Sequence, residues 1–367
     1  MLVKSFCGNS DLFHAPPASL SVALVPRLVS GLALAGMTPW PSMVTKQGEV
    51  HRGKDGAIES VQGMMNYQGR DVEKVVARRD LNGSDSGLEG AVWEATCVDV
   101  RNGRPEALTL DANGFELRMF PVSDSIDFYN QASIVDSYFP TCEELVKASS
   151  GAAFVKAFDY NVRSAGGETS GKRIDGGSQV QAPASLVHGD YTLASAPRRV
   201  AMLGEPPKSN DVLREQLQGM PLLPKELCED VAAGRRRWGI INVWRSITIE
   251  PVRRFPLACV DSSSMSPGSD LVTFEIHYAD RVGENYFSRA NPAHRWRYFP
   301  EMRREEALVL KQWDSHGALA RSLVDAPGAA EGAGVSTFAL HSAFADPTSA
   351  PGAPDRESIE VRCVAVW

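Results

Sequence analysis

Long apolar runs, clustered cysteines, a basic tract and a His-x-His pair are all missing from this chain, and each absence removes a class of protein. The longest candidate span, residues 19–37 (SLSVALVPRLVSGLALAGM), is interrupted by Pro26 and Arg27. It stops short of the roughly 18 uninterrupted apolar residues that a membrane helix needs. Only Lys4 precedes it, so a cleaved secretory signal is not expected either. The six cysteines (Cys7, Cys97, Cys142, Cys228, Cys259, Cys363) include no C-x-x-C pair, which excludes common structural zinc motifs and a dense disulfide framework. A reducing compartment follows, and the expected location is cytoplasmic. Acidic residues outnumber basic ones by 45 to 38, and the densest basic run is only Arg235-Arg236-Arg237, at an expected helix end. Nucleic acid and membrane are therefore not expected partners, because phosphate binding needs clustered Lys and Arg. A small molecule is the expected partner; a homodimer is left open.

What is present is a strand-rich texture. The 31 Gly and 23 Pro favour many turns between short strands over long helices. Residues 1–60 lack sustained periodicity and read as a poorly ordered or variable N-terminal extension. Residues 61–367 read as a single domain. Strand-type runs fall at 90–100, 107–120, 152–162, 238–247, 256–261, 271–279, 294–300, 306–315, 335–344 and 358–367. Residues 141–151 read as a helix closed by Gly151, and 209–237 as the strongest helical region. A polar Gly/Ser loop at 164–179 is a candidate cover for a pocket mouth. Many short strands at regular spacing predict a mainly β (α+β) fold, a double-stranded β-helix or jelly-roll core with flanking helices.

Of seven histidines, two carry a pattern. His188-Gly189-Asp190 places an imidazole and a carboxylate two residues apart, on one face of a strand. His341 follows 153 positions later on another expected strand. Two neutral imidazoles and one carboxylate leave cis positions open on a metal, the donor set that suits non-haem Fe(II). Downstream, Arg356 and Ser358 share a strand face and could clamp the remote carboxylate of 2-oxoglutarate, with Arg362 as the alternative anchor. His14, His51, His277, His294 and His316 have structural or surface readings.

The segments GAVWEATCVDVRNGRP, FDYNVRS, LVHGDYT, INVWRSI, PLACVD, HRWRYFPEM, LKQWDS, HSAFADP and RESIEVR occur in an order that resembles a family of secondary-metabolism proteins from fungi and bacteria. The family includes hydroxylase/desaturase-type enzymes, gibberellin-desaturase-like proteins, an endoperoxide-forming oxygenase and a protein of cephamycin methoxylation. The resemblance covers roughly the last three-quarters of the chain. It implies an Fe(II)- and 2-oxoglutarate-dependent oxygenase that uses dioxygen on a small secondary metabolite, with His188, Asp190 and His341 as iron ligands and catalytic centre. Asn242 and Trp244, which share a strand face in INVWRSI, are candidate substrate contacts; Arg245 faces the other way. Arg163 in FDYNVRS is read as a surface ion pair, with a substrate or co-substrate contact as the alternative. Two rival readings remain: a cupin-like isomerase or lyase, disfavoured by the missing His-x-His pair, and a non-catalytic jelly-roll binding protein. Hydroxylation, desaturation, cyclisation and peroxide formation are equally compatible with the sequence.

Overall fold

The computed structural model describes residues 37–44, 48–79, 85–278, 281–322 and 334–367, all within a compact unit spanning 36–367. In chain order the first strands are β1 (Met37–Thr38), β2 (Val50–Arg52), β3 (Ile58–Gln68), β4 (Lys74–Arg79), β5 (Asp85–Glu89) and β6 (Trp93–Asn102). Next come β7 (Phe115–Met119), β8 (Phe154–Ser164), β9 (His188–Gly189), β10 (Trp238–Ser246) and β11 (Leu257–Val260). The last are β12 (Leu271–His277), β13 (Val282–Ser288), β14 (Trp296–Tyr298), β15 (Glu306–Asp314), β16 (His341–Ala343) and β17 (Glu357–Val366). Among the described residues these form two sheets. One holds twelve strands in the order β1-β5-β4-β12-β13-β9-β16-β11-β14-β6-β3-β2, the other five in the order β7-β15-β10-β17-β8. The fold is mainly β.

Strand parity explains how the five-stranded sheet packs. Its odd-numbered residues Ile241, Val243, Val309, Ile359, Val361 and Cys363 join a core with Phe139, Cys142, Leu145 and Val146 of the helix Phe139–Ser150. Gly151 ends that helix with φ 71°, a left-handed conformation that costs glycine nothing. On the opposite face, Trp244, Leu308, Leu310 and Phe115 meet Leu257 and Cys259 of the larger sheet and Phe299 and Ala339 beside its strands β14 and β16. Period-two alternation thus builds one layer under the helix and another between the sheets. The larger sheet also folds towards itself: a Cβ at Gly63 on β3 would come within 2.8 Å of the Phe344 ring, just after β16.

Several sequence expectations are revised. Residues 1–36 of the expected extension lie outside the described residues, but β1, β2 and the start of β3 are paired into the sheet, so the strand-built domain begins upstream of residue 61. The region 209–237 yields only two short helices, Arg214–Leu217 and Lys225–Ala232. Gln218 (φ 49°) and Gly219 (φ 84°) turn the chain out of the helix between them. In 107–120 the Asn-Gly pair closes a short helix, Leu110–Asn113, before β7. Ile174 of the Gly/Ser loop and Val180 just after it join the core beside the helix Phe139–Ser150. Among the described residues no helix is long and apolar enough to cross a membrane.

Candidate metal and oxo-acid site

Antiparallel pairing brings the two histidines together: His341 on β16 is the register partner of His188 on β9. Residues directly opposite in such a pair have Cα atoms about 4.5–5.5 Å apart, so the long sequence gap vanishes at one step of the sheet. Their ring centroids lie 4.2 Å apart. Asp190, just past β9, completes the group. Its Oδ1 lies 3.7 Å from His188 Nε2 and 4.0 Å from His341 Nε2. One donor atom from each residue falls within 4.8 Å of the others, a spacing that can hold one metal ion.

Each of the three candidate ligands is oriented by its neighbours. His188 Nδ1 is 2.9 Å from the Leu186 carbonyl and His341 Nδ1 is 3.3 Å from the Ala339 carbonyl. Donation from Nδ1–H leaves the Nε2 lone pairs for a metal. Asp190 Oδ2 accepts hydrogen bonds from Asn242 Nδ2 (2.9 Å) and Arg362 Nε (3.2 Å), and its backbone N–H donates to Gln312 Oε1. Oδ1 is left facing the imidazoles. Burial, and then the imidazole of His341, push His188 down to about 4, and burial also lowers His341. Burial raises Asp190, but Arg362, His341 and His188 outweigh it and hold the carboxyl well below its usual range. At neutral pH the trio therefore offers two neutral imidazoles and one carboxylate.

The inward face of the five-stranded sheet carries the rest. Register places Ser246 beside Ser358, Trp244 beside Glu360 and Asn242 beside Arg362. On the other side of β17, Arg163, Asn161 and Asp159 of β8 pair with Ser358, Glu360 and Arg362. Arg356 is buried, with Nη1 donating to the Phe255 carbonyl and the guanidinium 5.4 Å from the Trp244 ring. Its Nε and the Ser358 hydroxyl are buried with no hydrogen-bond partner among the described residues. Burial and the charge of Arg163 push Arg356 down to about 9 against the opposing effect of Glu360. The guanidinium lacks a full counter-charge. Arg362, in contrast, is occupied by Asp190 and by Asp159 (3.1 Å).

The expected residues therefore fall on one side of the structure, with divided tasks. Asn242 is fully buried, and its amide donates to both Asp190 and Glu360. Trp244 is buried against Arg356. Arg245 points to the outer face, donating to the Tyr138 hydroxyl and to the carbonyls of Phe120 and Arg304. Among the described residues Arg163 makes no ion pair; its Nη1 donates to the Ala182 carbonyl. Glu360 and Gln312 went unnoticed in the sequence, although Glu360 lies two residues from Ser358 and hence on the same face. His294 pairs with Asp270 and His277 with Glu275; His51 lies 4.0 Å from Glu49, and His14 is outside the described residues.

Known proteins resemble this chain over most of its length. An uncharacterized protein in the dcmA 3' region of Methylophilus leisingeri is 36% identical over 192 residues, covering 50% of this chain and 89% of that protein. The hydroxylase/desaturase efuI of Hormonema carpetanum is 28% identical over 286 residues, 73% of this chain and 82% of that one. The Fe(II)/2-oxoglutarate-dependent dioxygenase nvfI of Aspergillus novofumigatus is 27% identical over 281 residues, 74% and 84% of the two chains. A solved structure titled iron and alpha-ketoglutarate-dependent endoperoxidase NvfI shares the fold, with a TM-score of 0.61, 24% identity and coverage of 84% of this chain and 98% of that one. The model of the oxidoreductase/YMDC permease-like domain family matches residues 65–366, and the chain belongs to that family.

Proposed function

We propose that this protein is an Fe(II)- and 2-oxoglutarate-dependent oxygenase of a small secondary metabolite, its two sheets forming a double-stranded β-helix. The observation that carries the reading is the presence of two complementary groups, one on each sheet. Donor atoms of His188, Asp190 and His341 lie within 4.8 Å of one another, and the Arg356 Nε and the Ser358 hydroxyl are buried with no hydrogen-bond partner among the described residues. His188, Asp190 and His341 would hold the iron. Arg356 and Ser358 would hold the remote carboxylate of the oxo acid, a charge-assisted contact matched to the guanidinium fork. When bound, the metal supplies dioxygen chemistry that no side chain can provide.

The protein's own part is positioning. Asn242 and Arg362 engage Asp190 Oδ2 and leave Oδ1 for the metal, which favours a single-oxygen contact and keeps neighbouring positions free. Trp244 packs against Arg356 and holds its fork in place rather than touching substrate. Burial strengthens the attraction between Arg356 and a carboxylate by excluding competing water. A relative named as an Fe(II)/2-oxoglutarate-dependent dioxygenase, 84% of whose length is matched by this chain, supports the reading. A reducing, cytoplasmic setting suits Fe(II) and the five described cysteines, which are free thiols.

The test is oxygen-dependent succinate release by the iron-loaded protein offered small apolar metabolites. His188→Ala or Asp190→Ala should abolish release with the fold retained. Arg356→Ala should raise the 2-oxoglutarate requirement by about 30-fold or more, the usual scale for losing a buried charge-assisted pair. Full turnover after complete chelation would refute the metal assignment. An unchanged oxo-acid requirement in Arg356→Ala would refute the anchor.

A further inference from the structure

Resting on that reading, we infer that Gln312 and Trp313 receive a neutral carbonyl oxygen of the metabolite beside Asp190. The register between β10 and β15 runs from Trp244 with Leu308 to Ile241 with Lys311, then resumes at Ile240 with Trp313. Gln312 is therefore the extra residue of a β-bulge, which turns two successive side chains to one face. Gln312 reaches Asp190 and accepts its backbone N–H at 3.1 Å through Oε1. Trp313 joins Ile240 and Val364 in the apolar cluster on the same inward face and stacks on Trp238 with ring centroids 5.8 Å apart. Gln312 is fully buried and Trp313 is 4% exposed. Among the described residues neither Gln312 Nε2 nor Trp313 Nε1 has a hydrogen-bond partner. The amide cannot be turned over to relieve this, because its oxygen is held by the Asp190 N–H. Two donors at adjoining positions are thus buried without an acceptor, a costly arrangement unless a ligand supplies one.

Register also says which ligand this is. The oxo-acid anchor lies at the Ser246 end of β10, where Ser358 is the partner, and Asn242 in mid-strand holds Asp190. The bulge lies opposite Ile240 and Ile241, beyond Asn242 in the direction away from the anchor. An oxo acid stretched from the His–Asp–His group to Arg356 leaves this end of the face to a second molecule, the metabolite. Arg362, the guanidinium in register with Asn242, is already paired with Asp159 and Asp190 and is not free for a carboxylate. Two neutral N–H donors set beside Ile240, Val364 and Trp238 match one neutral acceptor with two lone pairs on an otherwise apolar molecule. A ketone, lactone or ester carbonyl has that character. The competing assignment is structural: Gln312 does no more than pin the Asp190 backbone, and the Trp313 indole only fills the core.

Camphor, a ketone, and camphane, the same skeleton without oxygen, probe the Fe(II)- and 2-oxoglutarate-loaded protein under anaerobic conditions. Ligand-observed nuclear magnetic resonance gives the affinity of each. Gln312→Glu keeps an acceptor for the Asp190 N–H and replaces the free donor by a carboxylate oxygen. Trp313→Phe removes the indole N–H and keeps an aromatic ring. The camphor-to-camphane affinity ratio should fall about tenfold in each variant, the scale of one buried hydrogen bond. Trp313→Phe should bind 2-oxoglutarate as the unaltered protein does. An unchanged ratio in either variant overturns the two-donor assignment, and so does a lack of camphor binding by the unaltered protein. A loss of 2-oxoglutarate affinity in Trp313→Phe as large as its loss of camphor affinity overturns the assignment to the metabolite. If Gln312→Glu does not fold, Gln312→Met, which also lacks the donor, is judged by the same criterion. Failure of the unaltered iron-loaded protein to bind 2-oxoglutarate would instead sink the oxygenase reading itself.

Discussion

Asp190 shows how much of the proposed metal site is set by residues that would not touch the metal. Its two carboxylate oxygens are made inequivalent by Asn242 and Arg362, both of which donate to Oδ2. Asn242→Ala should therefore weaken iron binding by roughly 10- to 100-fold, the usual range for loss of a supporting partner, with the far-ultraviolet circular dichroism unchanged. Competition between the protein and a coloured chelator measures this directly. A substrate-contact role for Asn242 makes the opposite demand: intact iron affinity and a raised KM for the metabolite. Glu360 holds the other side of Asn242 Nδ2 at 2.7 Å, so Glu360→Gln should produce a milder version of the same loss.

At the scale of the element, β10 is buried on both faces, and its alternation assigns the faces to different tasks. Asn242 and Trp244 turn to the site, while Ile241, Val243 and Arg245 turn to the helix-covered core. Arg245 is a structural cation there, bridging Tyr138 to two carbonyls at the end of β7 and the start of β15. Arg245→Met should cost roughly 1–3 kcal/mol in urea denaturation, because buried acceptors lose a charged donor. The iron site should remain intact in that variant. Parity made this division legible in the sequence. The helices were harder to read in extent: the two helical segments of 209–237 are helix only over Arg214–Leu217 and Lys225–Ala232, and the backbone at Gln218-Gly219 turns left-handed. Local pattern does not report φ.

For the whole molecule, buried carboxylates predict how stability responds to acid. Burial raises Asp270, but hydrogen bonds from His294, the Ser266 N–H and Asn291 outweigh it and lower the group; in Asp261, Ser263 and Arg295 do the same. Asp111 and Glu306 are likewise lowered, by Lys311 with Arg237 and by Arg104 with the Arg303 N–H, against the upward push of burial. A carboxyl lowered on folding stabilises the native state above its unfolded value, near 4, and that stability is lost as pH falls through the folded value. Denaturant stability should be nearly level from about pH 7 to 5 as far as these groups are concerned, and decline below about pH 4. Asp270→Asn should make the decline shallower, and unaltered acid sensitivity in that variant would exclude Asp270 as a contributor.

The sequence by itself determined the chemistry available: which residues could bind iron, which arginines could meet a carboxylate, and which side chains share a strand face. These are properties of residue type and period-two spacing, both local. It also indicated a mainly β chain, because β-branched runs separated by turn residues have few other uses. Tertiary structure decided what spacing cannot. The pairing of β9 with β16 placed His188 against His341, and the pairing of β17 with β8 and β10 gave Arg362 to Asp159 and Asp190 while leaving Arg356 without a full counter-charge. It likewise turned Arg163 from an expected surface residue into a neighbour of Ser358. The physical reason is the same in each case: strand register joins residues by hydrogen bonds between distant segments, and the partner of a charge is chosen by that pairing rather than by its neighbours in the chain.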